Sequence, residues 1–428
     1  MAEVDSLTRA ELTKVQDQRL RALIDRLRTS DVPYWREKLA GVETIGGLED
    51  LERLPFTVKA EFRDTYPFGM LTVPLTDVVR VHASSGTSGK PTIVGYTATD
   101  VAIFAEVNAR AMRCAGGRED DIIQISYGYG LFTGGLGLHF GVEALGATAV
   151  PASGGNPGFQ IQLMVDLGVT ALASTPSFAM LLAERAAAEG LTERIHLRWG
   201  IHGAEPWSEA LRERLEAAWG GYDACDIYGL SEVIGPGVAA ECRENKGGMH
   251  IFEDHFLPEI VDPETGVRVP DGEPGELVLT TLTKVAQPVI RYRTRDMTRI
   301  LPGDCPCRRS SRRIGRLEGR VDDMLVIRGV NVYPRELETI LLDDPAVGSE
   351  FVILVDRRGT LAEVEAKVEL VDISLTAERD RVAYRLQQRI LEHLRVRVEV
   401  NVLDPGTLPR TEMGKAKRVR ELPPEGEM

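Results

Sequence analysis

The sequence has few cysteines, no apolar run long enough to cross a bilayer and no dense run of Lys and Arg. Five cysteines, an odd number in a chain of 428 residues, do not indicate a disulfide framework. Apolar runs stay well short of the roughly twenty residues that a membrane-spanning helix needs. A net charge of −14 without a dense basic stretch argues against nucleic acid or an anionic membrane as the main partner. Residues 1–8 are polar and acidic, unlike a signal peptide, so we expect a cytoplasmic protein.

The length and the strand pattern predict an α/β protein of at least two domains. The chain is too long for one ordinary domain, and an apolar content of 43% allows a substantial core. Between residues 147 and 228, strand-like and helix-like segments alternate, which predicts a mostly parallel sheet with helices on both faces. The pattern changes after the polar, glycine-led residues 319–323, with strands expected at 324–327, 351–355, 363–370 and 398–402 and a helix at 377–394. We therefore expect a large N-terminal α/β domain over residues 1–320 and a small α+β domain over residues 321–428.

A compact run of small polar residues is the most unusual segment of the chain. It follows a strand-like segment at 78–82 and consists of Ser84, Ser85, Gly86, Thr87, Ser88 and Gly89, followed by Lys90 and Pro91. Small residues let the backbone approach a ligand closely, hydroxyl and N–H groups form a concavity for an anion, and Lys90 adds positive charge. The run predicts a triphosphate loop, although its glycine spacing is not that of a Walker A loop. A solvated serine–glycine turn is the alternative.

Three further loops follow predicted strands. They cover residues 127–135, rich in aromatic residues and glycine, residues 203–206 and residues 229–232. Ligands of parallel sheets bind beyond the carboxyl ends of the strands, so these loops and the phosphate loop are expected to line one crevice. The aromatic side chains there would wall a pocket for a flat apolar ligand, and Glu232 near phosphates implies a bridging Mg²⁺. A packed core loop and a solvated glutamate are the alternatives.

Two charged segments complete the candidate site. Residues 291–296 combine three arginines with Asp296, whose carboxylate could accept hydrogen bonds from ribose hydroxyls. An ion-pair network explains that segment equally well. Near the other end of the chain, a glycine directly precedes Lys415 in a basic tail, which makes Lys415 a candidate for a lysine inserted into a site. The usual alternative for such a tail is solvated surface.

Eight short motifs follow one another along the chain: SSGTSGKPTIVGYT, YGYGLFTGGLG, GAEPW, YGLSE, RYRTRD, GRVDDM, RGVNVYP and GKAKR. Together they resemble the motifs of adenylate-forming enzymes, the acyl-CoA synthetase superfamily, and within it most closely those of the phenylacetate–coenzyme A ligase group. The resemblance covers nearly the whole chain, from about Leu20 to Arg420. It implies a large N-terminal domain and a small, mobile C-terminal one.

The resemblance also implies roles for individual residues. The residues that would bind the nucleotide are Ser84 to Lys90 at the pyrophosphoryl end of ATP, Gly203, Ala204, Glu205, Pro206, Asp226, Ile227 and Tyr228 around adenine, and Asp296 with Arg320 at ribose. Ser231 would contact the α-phosphate and Glu232 would bind Mg²⁺. Lys415 would reach the carboxylate and α-phosphate from the small domain, with Asp322 as the hinge. The walls of the acyl pocket would be Tyr127, Tyr129, Phe132, Gly134 and Gly135.

The implied reaction has two steps. ATP and an aryl or arylalkyl carboxylic acid, such as phenylacetate, give an acyl adenylate and pyrophosphate; coenzyme A then displaces AMP. The alternative is a stand-alone adenylating enzyme that passes its product to an amine or a carrier protein, or that activates another oxyanion such as nitrite. Leu138 stands where this group is expected to have a small residue, which implies a reshaped pocket. A homodimer is implied by the resemblance alone.

The cysteines carry a second hypothesis. Cys305 and Cys307 are one residue apart, and Cys242 and His250 lie upstream. Three thiolates and an imidazole form a donor set that suits a structural Zn²⁺. The alternative is four unlinked residues in a reducing compartment. We expect the other cysteines to be small core residues and the other histidines, His139, His196, His202 and His255, to serve packing or hydrogen bonding.

Overall fold

The computed structural model describes residues 3–42, 44–84, 91–321, 325–327, 330–356, 363–410 and 418–422. Several expected site residues lie outside the described residues: Ser85, Gly86, Thr87, Ser88, Gly89, Lys90, Asp322 and Lys415.

The first helix, α1 (Arg9–Arg28), forms for local reasons. Its N-cap Thr8 accepts a hydrogen bond from the Glu11 N–H, and the Glu11 carboxylate accepts one from the Thr8 N–H at 2.8 Å. This reciprocal capping satisfies N–H groups that a helix start otherwise leaves unpaired. The apolar residues at helical spacing, Leu20 to Leu27, are buried on one face. The capped N-terminus and the buried apolar face together account for this helix.

The other helices and the strands of the large domain alternate along most of its length. The helices are α2 (Pro33–Lys38), α3 (Lys59–Asp64), α4 (Ala98–Cys114), α5 (Thr133–Leu145), α6 (Pro157–Leu167), α7 (Pro176–Ala188) and α8 (Glu209–Ala218). The strands are β1 (Val78–Ser84), β2 (Thr92–Thr97), β3 (Ile122–Ile125), β4 (Thr148–Val150), β5 (Ala171–Ser174), β6 (Trp199–Gly203), β7 (Asp223–Leu230), β8 (Gly235–Cys242), β9 (Asn245–Ile251), β10 (Phe256–Val261), β11 (Gly275–Thr281), β12 (Tyr292–Thr298), β13 (Ile300–Leu301), β14 (Arg313–Gly315) and β15 (Gly319–Arg320).

One large sheet lies at the centre of this domain, with the strand order β13-β14-β9-β8-β7-β6-β5-β3-β4. The strands β4, β3, β5, β6 and β7 run parallel, as the alternating pattern predicts. The other half, β8, β9, β14 and β13, is antiparallel, so the prediction of a mostly parallel sheet is wrong there. The chain turns back directly after β7, through residues 231–234, and so short a connection joins antiparallel neighbours only.

Helices cover both faces of the parallel half. Because successive strand residues point to opposite faces, Ala171 and Ala173 of β5 belong to one core and Leu172 belongs to the other. Helices α4 and α5 contribute to the first core, and α6, α7 and α8 contribute to the second. The expected α/β domain with a covered sheet is confirmed.

Two antiparallel sheets flank the large one. β1 and β2 pair with each other on either side of residues 85–90. The second sheet has the order β10-β11-β12-β15.

The small domain is α+β, as expected. Its elements are β16 (Leu325–Ile327), β17 (Val330–Val332), α9 (Pro334–Leu342), β18 (Val347–Asp356), β19 (Glu363–Leu370), α10 (Arg379–Leu394), β20 (Glu399–Leu403) and β21 (Val419–Glu421). The main sheet has the order β20-β19-β18-β21, and α10 buries Val382, Leu386 and Ile390. Within the described ranges, no helix is long and apolar enough to cross a membrane.

The small domain packs on the face of the large domain that α7 and α8 cover. Arg214 of α8 donates to the Leu342 carbonyl at 2.7 Å. Ser349 of β18 donates to Glu184 Oε1 of α7 at 2.8 Å. Arg335 of α9 donates to the Trp207 carbonyl at 3.1 Å, just beyond residues 203–206. The interface therefore reaches the segment expected to flank adenine.

Candidate active site

The loops expected to form one crevice meet at the carboxyl ends of the parallel strands. The hydroxyl of Tyr127, which follows β3, donates to the Ser174 carbonyl at the end of β5 at 2.6 Å. It accepts the N–H of Gly203, at the end of β6, at 3.0 Å. Tyr127 is buried, so its hydroxyl joins the ends of three strands. Only its ring is left for the role of pocket wall.

The carboxylate of Glu232 lies in a buried, cation-rich place. Its side chain is 4% exposed, and Oε1 lies 3.0 Å from Lys59 Nζ in an ion pair that lacks the alignment of a hydrogen bond. Lys284 is buried behind it, donates to the Val233 carbonyl at 2.8 Å and has its pKa lowered to about 8 by burial. Ser231 is also buried, and its hydroxyl lies 3.5 Å from that of Thr133 at the start of α5. Two cations thus flank the carboxylate.

Asp296 sits in a small polar cluster. Tyr228 donates to Asp296 Oδ2 at 2.6 Å, and Arg320 Nη1 lies 3.4 Å from Oδ1. Asp296 and Arg320 are paired across strands β12 and β15, which explains how residues far apart in sequence meet. Burial raises the pKa of Tyr228 well above its usual value, so the phenol stays a donor. The sequence names all three residues for nucleotide binding, and the structure brings them together.

The segment at residues 203–206 lies beside the end of β7. Gly203 pairs with Ile227, and a Cβ on Gly203 would stand 2.3 Å from the Ile227 carbonyl oxygen. Ala204 has a left-handed φ of 71°, and Glu205 accepts the Ser177 N–H at 2.8 Å. Burial, with Glu241 nearby, raises the pKa of Asp226 to about 7. Because the backbones of Gly203 and Ile227 are in close contact, a flat group could lie only beyond the ends of these strands, not between them.

The arginines of residues 291–296 form the ion-pair network that the sequence offered as one interpretation. Arg291 binds the buried Glu259 at 2.8 Å, and Arg293 binds the buried Glu276. Arg295 Nη1 lies 3.7 Å from the same Glu276, although the Arg295 side chain is 46% exposed.

The aromatic and glycine-rich loop is tightly packed. A Cβ on Gly134 would stand 2.7 Å from the Phe132 ring, and one on Gly135 would stand 2.6 Å from the Gly128 carbonyl oxygen. The Tyr129 hydroxyl lies 3.3 Å from His139 Nδ1, and Phe132 is half-buried. Leu138 is fully buried in the core between the sheet and α4, so it does not face an open crevice. The two glycines thus shape the loop itself.

Several buried polar atoms around the crevice have no hydrogen-bond partner in the part of the chain that the structure describes. They include Ser84 Oγ, Thr92 Oγ1 and Glu232 Oε1. An unpaired buried polar group costs on the order of 1–3 kcal/mol. Hydroxyls beside the expected phosphate loop, and a carboxylate oxygen flanked by cations, suit a polyanion with its divalent cation. The chemistry of these atoms fits a Mg²⁺–nucleotide.

The expected zinc ligands form one cluster. The ligand atoms of Cys242, His250, Cys305 and Cys307 all lie within 4.8 Å of one another. His250 Nδ1 lies 3.1 Å from the Ser311 carbonyl, so Nδ1 carries the proton and Nε2, 3.2 Å from Cys307 Sγ, is free to bind a metal. The cluster joins β8, β9 and the segment between β13 and β14. Cys114 and Cys225 are fully buried core residues, as expected, and all five cysteines are free thiols.

Sequence reasoning missed some residues of the crevice. Lys59, Lys284, Thr133 and His82 were not singled out. Lys59 and Lys284 reach the Glu232 loop from sequence positions far away, and nothing in their local sequence marks them. His202 and His255 do make the hydrogen bonds expected of them, His202 to Tyr222 at 2.7 Å and His255 to Thr283 at 2.7 Å.

Comparison with known proteins adds independent findings. A family described as "AMP-binding enzyme" matches residues 12–283, and one described as "AMP-binding enzyme C-terminal domain" matches residues 329–422. The phenylacetate-coenzyme A ligase of Thermus thermophilus is 47% identical, with 98% of each chain covered. The enzymes of that name from Aromatoleum evansii and Escherichia coli are also 47% identical, covering 97% and 96% of this chain and 97% and 95% of their own.

Among solved structures, a 2-hydroxyisobutyryl-CoA ligase has been captured in more than one state. In the postadenylation state with 2-HIB-AMP it superposes with a TM-score of 0.91 at 29% identity, covering 98% of this chain and 93% of its own. In the thioesterification state with 2-HIB-AMP and CoA the TM-score is 0.71 at 30% identity, with coverage of 97% and 91%. Because the relative is the same protein, the lower score reflects a different arrangement of its parts.

Proposed function

The chain belongs to the AMP-binding enzyme family, and on that premise we propose that it activates an aryl or arylalkyl acid and transfers the acyl group to coenzyme A. In the first step the acid carboxylate attacks the α-phosphorus of ATP; the bond to the pyrophosphate oxygen breaks, and an acyl adenylate forms. In the second step the thiol of coenzyme A attacks the acyl carbon, AMP leaves and the thiol proton is released. The substrate class is that of phenylacetate, the acid named for the similar ligases.

One observation carries the proposal. Identity to phenylacetate-coenzyme A ligases of 47% extends over nearly the whole chain, both domains included. Ser84 Oγ and Thr92 Oγ1, which have no hydrogen-bond partner among the described residues, and Glu232 Oε1, whose contact is the ion pair with Lys59, support it, because they lie where that reaction needs groups for a triphosphate.

The nucleoside would be held by the cluster around Asp296. The Asp296 carboxylate, already fixed by Tyr228 and near Arg320, would accept the ribose hydroxyls. Adenine would lie beyond the strand ends, beside residues 203–206 and the end of β7, because Gly203 and Ile227 are themselves in backbone contact. The residues proposed for ribose and those proposed for adenine all lie on strands or at strand ends, so rigid elements would position the nucleoside.

The main barrier is electrostatic, because an anionic carboxylate must approach an anionic phosphate. Lys59 supplies positive charge beside the expected phosphates, and the Ser231 and Thr133 hydroxyls supply donors. Mg²⁺ bound with the nucleotide would be held on the protein side by Glu232 and would neutralise phosphate charge. Ser85 to Lys90 are proposed to cradle the pyrophosphoryl end.

Two further roles are proposed for residues outside the described ranges. Lys415 would bring a cation to the attacking carboxylate from the small domain, and Asp322 would be the hinge on which that domain turns. Lys415 would have to withdraw before the thiol can enter, so domain movement separates the two half-reactions.

A substrate panel tests the proposed function. Pyrophosphate release is measured with phenylacetate and substituted aryl acids, with and without coenzyme A, and the products are analysed. We expect release with at least one such acid and a thioester only with coenzyme A. Pyrophosphate and AMP formation without any thioester in the presence of coenzyme A would overturn the ligase proposal in favour of another acceptor.

We also propose that the cluster of Cys242, His250, Cys305 and Cys307 binds a structural Zn²⁺. It would tie β8 and β9 to the segment before β14. Metal analysis of the purified protein should find near-stoichiometric zinc. Cys307→Ser should lose it and unfold at a lower temperature, whereas Cys225→Ser, at a buried thiol outside the cluster, should keep it. Absence of zinc from the wild type purified without chelator would contradict this proposal.

The protein is further proposed to form a homodimer, as the family resemblance implies. Light scattering should then give twice the chain mass of 47.1 kDa. A mass equal to one chain at micromolar concentration would contradict it.

A further inference from the structure

The aromatic and glycine-rich loop is attached to three of the segments expected to handle the nucleotide. Its first residue, Tyr127, is hydrogen-bonded to Gly203 beside the expected adenine site. Thr133, near its other end, has its hydroxyl 3.5 Å from that of Ser231. Between them, the Leu131 carbonyl is bound to β1, the strand that leads into the expected phosphate loop. Direct contacts thus fix the position of the loop expected to hold the acid relative to segments expected to hold ATP.

The middle attachment is made by two donors, one of which is the His82 side chain. The Leu131 carbonyl oxygen accepts two hydrogen bonds, one from the Ala83 N–H at 2.8 Å and one from His82 Nδ1 at 3.1 Å. Since a carbonyl can only accept, Nδ1 must carry the proton. Leu131 is 62% exposed, so apolar packing of its side chain does little to fix the loop at this point. The two hydrogen bonds to its carbonyl hold it against β1 instead.

His82 is itself rigidly held. It is fully buried, and its ring stands edge-on to Tyr96 at 5.2 Å between ring centroids, with Phe104 at 6.4 Å. Burial, together with Arg80 and Lys284, lowers the pKa of His82, which agrees with a neutral ring. Nε2 has no hydrogen-bond partner in the described part of the chain. Among the described residues, the only polar contact of the ring is thus the Leu131 carbonyl, and this is unusual for a buried histidine.

We infer that His82 is a positioning residue that fixes the acid-binding loop against β1, the strand that leads to the expected phosphate loop. This inference rests on the proposed function and adds a residue to it. His82 lies two residues before Ser84, at the start of the phosphate segment, and its Nδ1–H holds the loop that would wall the acid. The carboxylate must stand about 3–3.5 Å from phosphorus to react, and a displacement of about 1 Å can cost on the order of a hundred-fold in rate. His82 touches neither substrate; it acts through the Leu131 carbonyl.

Kinetics of three variants test the inference. His82→Leu removes the donor, His82→Asn keeps an N–H close to the position of Nδ1, and His82→Gln places its amide nearer the position of Nε2. For His82→Leu we expect kcat/KM for the acid to fall about ten-fold or more. The Kd of ATP, measured by calorimetry without acid, should stay within about two-fold of wild type. His82→Asn should recover most of the loss and His82→Gln should not.

A control separates positioning from general damage. His255 is another buried histidine, bound to Glu106 and Thr283 away from the loop. His255→Asn should lower the unfolding temperature without changing the KM of the acid.

The outcomes that overturn the inference are distinct from failure of the proposed function. An unchanged kcat/KM in His82→Leu, an equal loss of ATP affinity, or equal impairment of the Asn and Gln variants would each overturn it. Should His82→Leu not fold, the Asn and Gln variants decide. A wild type that activates no aryl acid would instead refute the proposed function.

Discussion

Glu232 illustrates how a single buried charge defines a site. Its carboxylate is almost inaccessible to solvent. One oxygen forms an ion pair with Lys59, and that oxygen accepts no hydrogen bond among the described residues. Glu232→Gln should reduce the rate of pyrophosphate release at saturating ATP by about a hundred- to thousand-fold, because an amide cannot balance a divalent cation. Glu189→Gln, on the exposed end of α7, is the matched control. A rate for Glu232→Gln within a few-fold of wild type would remove Glu232 from the proposed mechanism.

At the residue scale, the sequence could predict those site residues that sit in short motifs. Asp296, Tyr228, Ser231 and Glu232 are named by motif. The structure places Tyr228 in hydrogen-bond contact with Asp296, and Ser231 and Glu232 directly after the same strand, β7. Lys59 could not be predicted, because its role comes from a contact with a residue more than 170 positions away. Nor could the sequence decide between ligand binding and ion pairing for Arg291 and Arg293; only the position of the buried carboxylates Glu259 and Glu276 does so.

At the scale of elements, α4 and α5 approach each other unusually closely. A Cβ on Gly141 would stand 2.5 Å from Asn108 Cβ, and Asn108 is held by hydrogen bonds to the Phe104 and Pro236 carbonyls. Gly141→Ala should therefore destabilise the protein by about 1–3 kcal/mol through overpacking. Gly158→Ala in α6, where a Cβ would meet nothing within 4 Å, should instead be neutral or stabilising by up to about 1 kcal/mol. Thermal unfolding of both variants measures the difference, and equal effects would contradict the close-packing argument.

The elements themselves were predictable to different degrees. Buried parallel strands alternating with helices leave a pattern that the sequence shows, and β5, β6 and β7 lie where it predicts them. The antiparallel half is harder, because its strands are buried on both faces or very short. β8 is buried nearly throughout, and β13 and β14 are very short. None of the three strands therefore shows the alternation of apolar and polar residues that marks a half-exposed strand.

Helix α9 carries a carboxyl whose burial makes stability depend on pH. Glu338 is 7% exposed, and burial raises its pKa to about 7, although Arg418 and Arg335 oppose the shift. Between the unfolded value of about 4.5 and pH 7, the folded chain holds a proton that the unfolded chain has released, so stability falls as pH rises, by up to about 1.4 kcal/mol per pH unit. Glu338→Gln cannot ionise and avoids this loss. Urea unfolding should show the variant about 2–3 kcal/mol more stable than wild type at pH 8 and nearly equal to it at pH 4.5.

The same measurement includes its own control. Glu392→Gln, at an exposed position of α10, should change stability equally at both pH values. A Glu338→Gln variant that is no more stable than wild type at pH 8 would contradict the prediction. It would show that Arg418 and Arg335 offset the cost of burying the ionised carboxylate.

At the scale of the molecule, the division into a large α/β and a small α+β domain was predictable, because the sequence pattern changes near residue 320. How the two pack was not predictable from the sequence. The apolar core on the α6–α8 face of the sheet continues into the small domain, and polar contacts from Arg214, Arg335 and Ser349 surround it. These contacts join residues of different domains whose local sequences carry no mark of pairing.

This packing makes a prediction about the reaction cycle. The structure superposes on the solved relative in its postadenylation state with a TM-score of 0.91. On the same relative with CoA in its thioesterification state, the TM-score is only 0.71. The contact between Ser349 and Glu184 would therefore have to break before coenzyme A reacts. Joining Glu184→Cys and Ser349→Cys with a short bismaleimide should permit one turnover of pyrophosphate release, retain the adenylate and abolish thioester formation. Each variant that carries only one of the two substitutions, treated with the same reagent, should form thioester normally. Thioester formation by the crosslinked protein at the wild-type rate would mean that this interface persists through both half-reactions, and that the second step needs no movement of α7 against β18.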